Sequence, residues 1–364
     1  MRRMWRPSSV RWGPVGLLLL LTAGGLGCNA LLNMRGEPEK YHRVSVFYGT
    51  DRLPTGKSAL SEFYGAELGS TQVGTCDVSI PLDHRMGVLE SPSFHYFEDP
   101  RKHIVLLSIV AKKNDQFFSD LQEQVRRSTR SAAFVFIHGY NVSFEDACRR
   151  TGQLAYDLKF PGVPMMWSWP SSGTVSAYIS DETRVEWTTP HLREFLSQVK
   201  TRSGAEALHI IAHSMGSRAI VRALADVVAE LRSGDRPPFS QVVLTAPDID
   251  ATLFRQVSAS IARGSVRTTL YASSADEAIK VSRRLHGDLP RAGEAGSDLV
   301  LVDGIDTVDA SAVDTSLLGH SYFADRTSVI SDMFDLFLSF KPPQERFYLE
   351  AKQRDGRPYW EFRR

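Results

Sequence analysis

Apolar residues fall along the chain in short continuous runs, each closed by glycine, proline, aspartate or asparagine and followed by a stretch with apolar positions three and four apart. Runs of the first kind read as strands, and stretches of the second kind as helices. The pattern starts at Arg43: residues 44–52 predict a first strand, and 73–81 and 103–110 two more, joined by loops rich in Gly, Pro and Asp. Residues 116–127 take helical spacing. Ala133-Phe134-Val135-Phe136-Ile137 is apolar at every position, as befits a strand covered on both faces of a parallel sheet. A helix over 144–156 follows, then an apolar run opening at Val163 and a helix over 190–199. The runs at 208–212, 241–246 and 266–272 are each followed by helical spacing, and Leu299-Val300-Leu301-Val302-Asp303 predicts the last clear strand before a helix over 329–340. Strands alternating with helices specify an α/β fold with a mostly parallel, doubly wound sheet and helices on both faces.

Composition narrows the picture only at the ends. With 364 residues, 42% hydrophobic and 23% charged, the chain can bury the core of one large α/β domain. A net charge of +1 gives no electrostatic basis for binding nucleic acid. Residues 1–11 carry Arg2, Arg3, Arg6 and Arg11 and no acid, and the apolar stretch from Val15 ends in Gly25-Leu26-Gly27-Cys28. This looks like a bacterial lipoprotein signal peptide with Cys28 as the lipidation site, although Gly25 stands where a bulky apolar residue is usual; an uncleaved signal anchor is the alternative. Both place the remainder in the cell envelope, tethered to a membrane and facing the periplasm or exterior. The expected organisation is a signal peptide or anchor over 1–28, a tether over 29–42, the main domain over 43–340 and a C-terminal extension over 341–364. Cys76 and Cys148 could pair in an oxidising compartment, and Cys148, on a helical apolar face, fits a buried thiol equally well. No spacing of His and Cys suggests a metal, since His209 and His213 lie on a strand and its turn.

One strand-to-helix boundary carries chemistry. The run Leu208–Ala212 leads into His213-Ser214-Met215-Gly216, and helical spacing resumes at Ser217. A serine at such a corner, with Ala212 and Gly216 two residues away on either side, is a nucleophile elbow that lifts the hydroxyl above the sheet and aims the Met215 N–H at a developing oxyanion. A serine that merely caps the next helix is the bland alternative. The run at 133–137 ends in His138-Gly139-Tyr140-Asn141 ahead of a helix. Glycine there lets the backbone approach a substrate carbonyl, so the main-chain N–H of Tyr140 or Asn141 is the candidate second oxyanion donor. A serine nucleophile needs an imidazole base steadied by a carboxylate. Only His286 and His320 follow Ser214. His286 closes a basic helix, so His320, in a Gly-flanked loop past the last strand, is the expected base. Asp276 is the expected acid and Asp248 the alternative, with an N-cap role for Asp276 also open. Trp167, Trp169 and Trp187 read as core or rim and Asp181 as a cap; whether 167–187 forms a lid is open.

As a set, Phe47-Tyr48-Gly49-Thr50-Asp51-Arg52, Phe136-Ile137-His138-Gly139-Tyr140-Asn141, Ser168-Trp169-Pro170-Ser171, Ala212-His213-Ser214-Met215-Gly216, Ala246-Pro247-Asp248 and Gly319-His320-Ser321-Tyr322 resemble the bacterial α/β-hydrolases of unknown function called DUF900. The resemblance covers most of residues 43–340. It implies an α/β-hydrolase fold with Ser214, Asp276 and His320 as the triad, and little about substrate; Ala212, where the general elbow has glycine, fits this family. The expectation is carboxylesterase-type cleavage of a small-molecule or lipid-like ester through an acyl-serine, with no cofactor. A catalytically silent binding or scaffold protein of the envelope and an acyltransferase are the alternatives.

Overall fold

The computed structural model describes residues 40–92, 97–313 and 326–363. Cys28, the segment 1–28, nearly all of the tether and His320 lie outside the described residues. Eleven strands form one sheet: β1 (Tyr41–Pro54), β2 (Tyr64–Pro81), β3 (Leu106–Lys112), β4 (Ala132–Ile137), β5 (Val163–Ser168), β6 (Ala207–His213), β7 (Phe239–Thr245), β8 (Ser265–Ala272), β9 (Ile305–Asp309), β10 (Leu349–Arg354) and β11 (Arg357–Phe362). Their order is β10-β11-β9-β8-β7-β6-β4-β5-β1-β2-β3. Neighbours from β11 through to β1 are parallel. Antiparallel β2 and β3 close one edge and β10 the other.

The described helices are α1 (Asn114–Arg127), α2 (Phe144–Asp157), α3 (Tyr178–Arg202), α4 (Gly216–Ala229), α5 (Ala251–Arg263), α6 (Glu277–Leu285) and α7 (Arg326–Leu338). Successive side chains of a strand point to opposite faces, and β4 divides accordingly. Ala133, Val135 and Ile137 join a core with Phe117 of α1, Leu192 of α3, Ile220 of α4 and Phe254 of α5. Phe134 and Phe136 join a second core with Phe144 and Leu154 of α2 and Met333 and Phe337 of α7. The uniformly apolar β4 thus lies between two helical layers, the doubly wound α/β architecture of an α/β-hydrolase. After β4 the chain turns to one side to form β5, and it crosses to the other side for β6. In open parallel sheets such a reversal forms a crevice at the carboxyl ends of the two strands, here β4 and β6, where ligands bind.

Three elements differ from the sequence pattern. Residues 299–303 are not a strand: Thr307 Oγ1 donates to the Val300 carbonyl (2.8 Å) and Gly304 turns the chain at φ 79°, so the strand is β9, starting at Ile305. Leu299 and Val300 are still buried, and their hydrophobicity serves packing in a loop. Helix α3 begins at Tyr178, twelve residues before the expected start at Pro190, which sits inside it. The extension past 341 is docked: β10 and β11 form a hairpin whose second strand pairs with β9. Cys76 and Cys148 are free, buried thiols. Among the described residues, no helix is long and apolar enough to cross a membrane.

Candidate active site

Ser214 stands at the corner between β6 and α4 with φ 49°, in the left-handed region that a non-glycine residue occupies at a cost of about 1–3 kcal/mol. Its backbone is held on both sides: the N–H donates to the Thr245 carbonyl (3.0 Å), and its own carbonyl accepts from the N–H groups of Ser217 (3.0 Å) and Asp248 (3.2 Å). Gly216 has no alternative, since a Cβ there falls 2.3 Å from the His138 carbonyl oxygen. A Cβ on Gly139 falls 3.0 Å from Ser214 Cβ and 2.9 Å from His213 Nδ1. The His-Gly loop therefore lies with its backbone directly against the serine. The amino end of α4 begins two residues on, so its partial positive charge faces the same crevice.

Within that loop, Asn141 has φ 57°, a left-handed conformation that asparagine tolerates better than most residues. The Tyr140 ring meets Tyr178 edge-on at 5.2 Å. His138 is buried and stacked on Trp169 (5.2 Å). Burial, with the nearby Arg52 charge, pushes its pKa well below 6.5, so it is neutral. Trp167 and Trp169 are both core residues, and the segment they open is fastened down. Asp181, on the first turn of α3, accepts from Ser171 Oγ (2.7 Å), Ser172 N (3.0 Å) and Ser172 Oγ (2.9 Å).

The two candidate acids sit differently. Asp276 follows β8 and caps α6, accepting from Ile279 N at 3.0 Å; burial raises its pKa, opposed by backbone N–H bonds. Asp248 is buried and fully engaged: Oδ1 accepts from Ser282 Oγ (2.5 Å) and Arg291 Nε (2.9 Å), and Oδ2 from the Tyr178 hydroxyl, with Arg218 at 3.4 Å. Burial alone favours protonation of Asp248, but the charges of Arg218 and Arg291 outweigh it and hold its pKa below the usual carboxylate range. His286 is engaged as well, through Nδ1 with the Ser282 carbonyl and through Nε2 with Glu182 at 2.7 Å.

A model of α/β-hydrolases of unknown function, DUF900, matches residues 113–336, more than half of the chain. The chain belongs to this family. A 61-residue stretch is 38% identical to an uncharacterized protein of Nostoc sp. PCC 7120, covering 17% of this chain and only 16% of that protein's length. Among solved structures, a protein described as a cell surface hydrolase of Lactobacillus plantarum WCFS1 is 13% identical over 60% of this chain and 96% of its own, with a TM-score of 0.34. Phospholipase PlaB of Legionella pneumophila, solved with thio-NAD, is 11% identical over 64% of this chain and 67% of its own, with a TM-score of 0.29.

In this DUF900 chain the structure brings Ser214, Met215 and the 138–141 loop together at the crevice, with Asp248 beside the serine backbone. Sequence reasoning missed the polar cluster around Asp248: Tyr178, Arg218, Ser282 and Arg291 come from four separate elements, and no spacing links them. A cavity of about 370 Å³ lined by Met86, Asp157, Ile330, Phe334 and Phe347 includes none of the candidate catalytic residues. Among the described residues no group of three His, Cys, Asp or Glu side chains is arranged to hold a metal ion.

Proposed function

We propose that the protein is a serine hydrolase that cleaves a carboxylic ester through an acyl-enzyme on Ser214. The observation that carries this reading is the strained backbone of Ser214 with the Gly139 loop packed against its Cβ. Left-handed strain at a serine, enforced from three sides, places a hydroxyl at a crevice mouth. In the proposed cycle Ser214 Oγ attacks the ester carbonyl while His320 takes its proton. The N–H groups of Met215 and of Tyr140 or Asn141 receive the oxyanion, the alcohol leaves with a proton from His320, and water releases the acid. Asp276 is the carboxylate proposed to orient His320, because the oxygens of Asp248 are already occupied by two arginines and two hydroxyls. The substrate is a small-molecule or lipid-like ester, and the site is tethered to a membrane in the cell envelope through residues 1–42 and Cys28. Hydrolysis of short- and long-chain p-nitrophenyl esters by the full chain tests the reading. Turnover lost by about a thousand-fold or more in Ser214→Ala and His320→Ala supports it, and unchanged turnover in either variant overturns it. Asp276→Asn and Asp248→Asn assign the acid: the first is expected to lower kcat with the fold intact, the second to lower the melting temperature.

A further inference from the structure

Three of the sequence motifs have no part in the proposed reaction: the strand end Thr50-Asp51-Arg52, the imidazole of His138, and Ser168-Trp169-Pro170-Ser171. In space they form one buried framework beneath the oxyanion loop. Arg52 is 2% exposed, and no carboxylate among the described residues lies within ion-pair distance of it. Its guanidinium instead spans three pieces of chain: Nε donates to Ser168 Oγ (2.9 Å), one terminal nitrogen to the carbonyls of Gly65 (3.1 Å) and Ser171 (2.9 Å), and the other to the Val142 carbonyl (2.7 Å).

The same framework holds the peptides at both ends of the loop. The His138 carbonyl accepts from Trp169 Nε1 (2.7 Å). Ser168 Oγ, already an acceptor from Arg52, has its proton free for His138 Nε2 at 3.1 Å, which leaves the neutral ring to donate from Nδ1 to the Gly139 carbonyl at 2.8 Å. A trans peptide points its N–H opposite to its C=O, so the Tyr140 N–H is turned away from that ring. At the far end Val142 is gripped on both sides, its N–H by Ser171 Oγ (3.2 Å) and its carbonyl by Arg52, while Ser171 Oγ donates to Asp181. Three carbonyls of the loop and the Val142 N–H are thus drawn into the framework, which leaves the N–H groups of Tyr140 and Asn141 to face the crevice.

We propose that Arg52 is the positioning residue of the oxyanion hole: through Ser168, Ser171 and His138 it sets the peptide orientation at Tyr140 and Asn141, and so governs stabilisation of the tetrahedral intermediate. The inference rests on the serine-hydrolase reading above. A guanidinium suits the task because its planar fork reaches several acceptors at fixed angles, whereas an ammonium is a point charge on a flexible stem. Such a role differs from ordinary structural support in what it changes. Loss of an oxyanion donor costs about 100- to 1,000-fold in kcat, and misorientation of the loop costs part of that without altering ground-state binding.

The test measures kcat, KM and the melting temperature for the full chain and for Arg52→Lys and Ser168→Ala, together with inhibition by a trifluoromethyl ketone analogue of the ester, whose hemiketal oxyanion occupies the hole. For both variants the expected result is a fall in kcat of about 10- to 100-fold with KM within about three-fold, and weakening of the inhibitor by the factor lost in kcat/KM. The double variant should lose less than the product of the two single effects, since both act on one framework. Ser168→Ala removes only a hydroxyl and serves as the deciding variant if Arg52→Lys does not fold. An active parent whose Ser168→Ala variant keeps its kcat and inhibitor affinity, or loses only melting temperature, overturns this inference and leaves the hydrolase reading standing. A parent with neither ester turnover nor fluorophosphonate labelling overturns both.

Discussion

Two glycines and one strained serine decide whether the crevice can work, and each has a substitution that isolates its contribution. Gly139→Ala places a methyl 3.0 Å from Ser214 Cβ, closer than carbon atoms pack, so loop and serine must separate. We expect kcat to fall by about 100-fold or more with a small change in melting temperature, read from ester kinetics and thermal denaturation side by side; unchanged kcat contradicts the close approach. Gly216→Ala drives its methyl against the backbone oxygen of His138, which cannot move away as a side chain could, and the expected result is a destabilised protein. Ser214→Gly removes the left-handed strain together with the nucleophile. It is predicted to be inactive yet to melt no lower than the parent, a result that separates function from stability at one position.

Elements away from the site are fastened by a few polar and aromatic contacts that sequence patterning could not have revealed. His84, in the loop after β2, lies between Asp157 of α2 and Glu90 with both ring nitrogens at 2.8 Å from carboxylate oxygens. Burial alone lowers its pKa, but the two carboxylates outweigh that and raise it from 6.5 to about 9. A group whose pKa is raised on folding stabilises fully below its unfolded value, and that contribution disappears as pH rises through the folded value. The melting gap between the parent and His84→Gln should therefore be wide at pH 6 and narrower at pH 10, measured in matched buffers; a gap independent of pH contradicts the charged pairing. At the other edge, Phe362 of β11 is 2% exposed and stacks on Tyr271 of β8. Phe362→Ala should cost about 3–5 kcal/mol in urea unfolding, whereas a loosely attached tail predicts no change. The hairpin was illegible as such because its pairing with β9 is a long-range event. The run at 299–303 misled for the opposite reason: it has the hydrophobicity of a strand, but the Gly304 turn and the Thr307 hydroxyl determine its conformation.

At the scale of the molecule, the alternating pattern was enough to give a parallel α/β sheet, because its central strand β4 is apolar at every position and its helices carry one apolar face. The elbow was legible for a local reason, since Ala212, Ser214 and Gly216 meet the steric demands of one turn. What remained hidden was assembled from distant chain segments: Arg52 reaches Val142 and Ser171, and Asp248 gathers Tyr178, Arg218, Ser282 and Arg291. These contacts surround a reversal in strand order at the carboxyl ends of β4 and β6, so the position of the site follows from the topology as much as from the motif. The proposed reaction stands or falls with Ser214 as a covalent nucleophile held for attack. The most direct measurement is intact mass and peptide mapping of the full chain after reaction with a fluorophosphonate, with Ser214→Ala alongside. One adduct per chain is expected, located on the peptide that contains Ser214 and absent from the variant. A folded parent that remains unlabelled, or labelling that survives in Ser214→Ala, would contradict it.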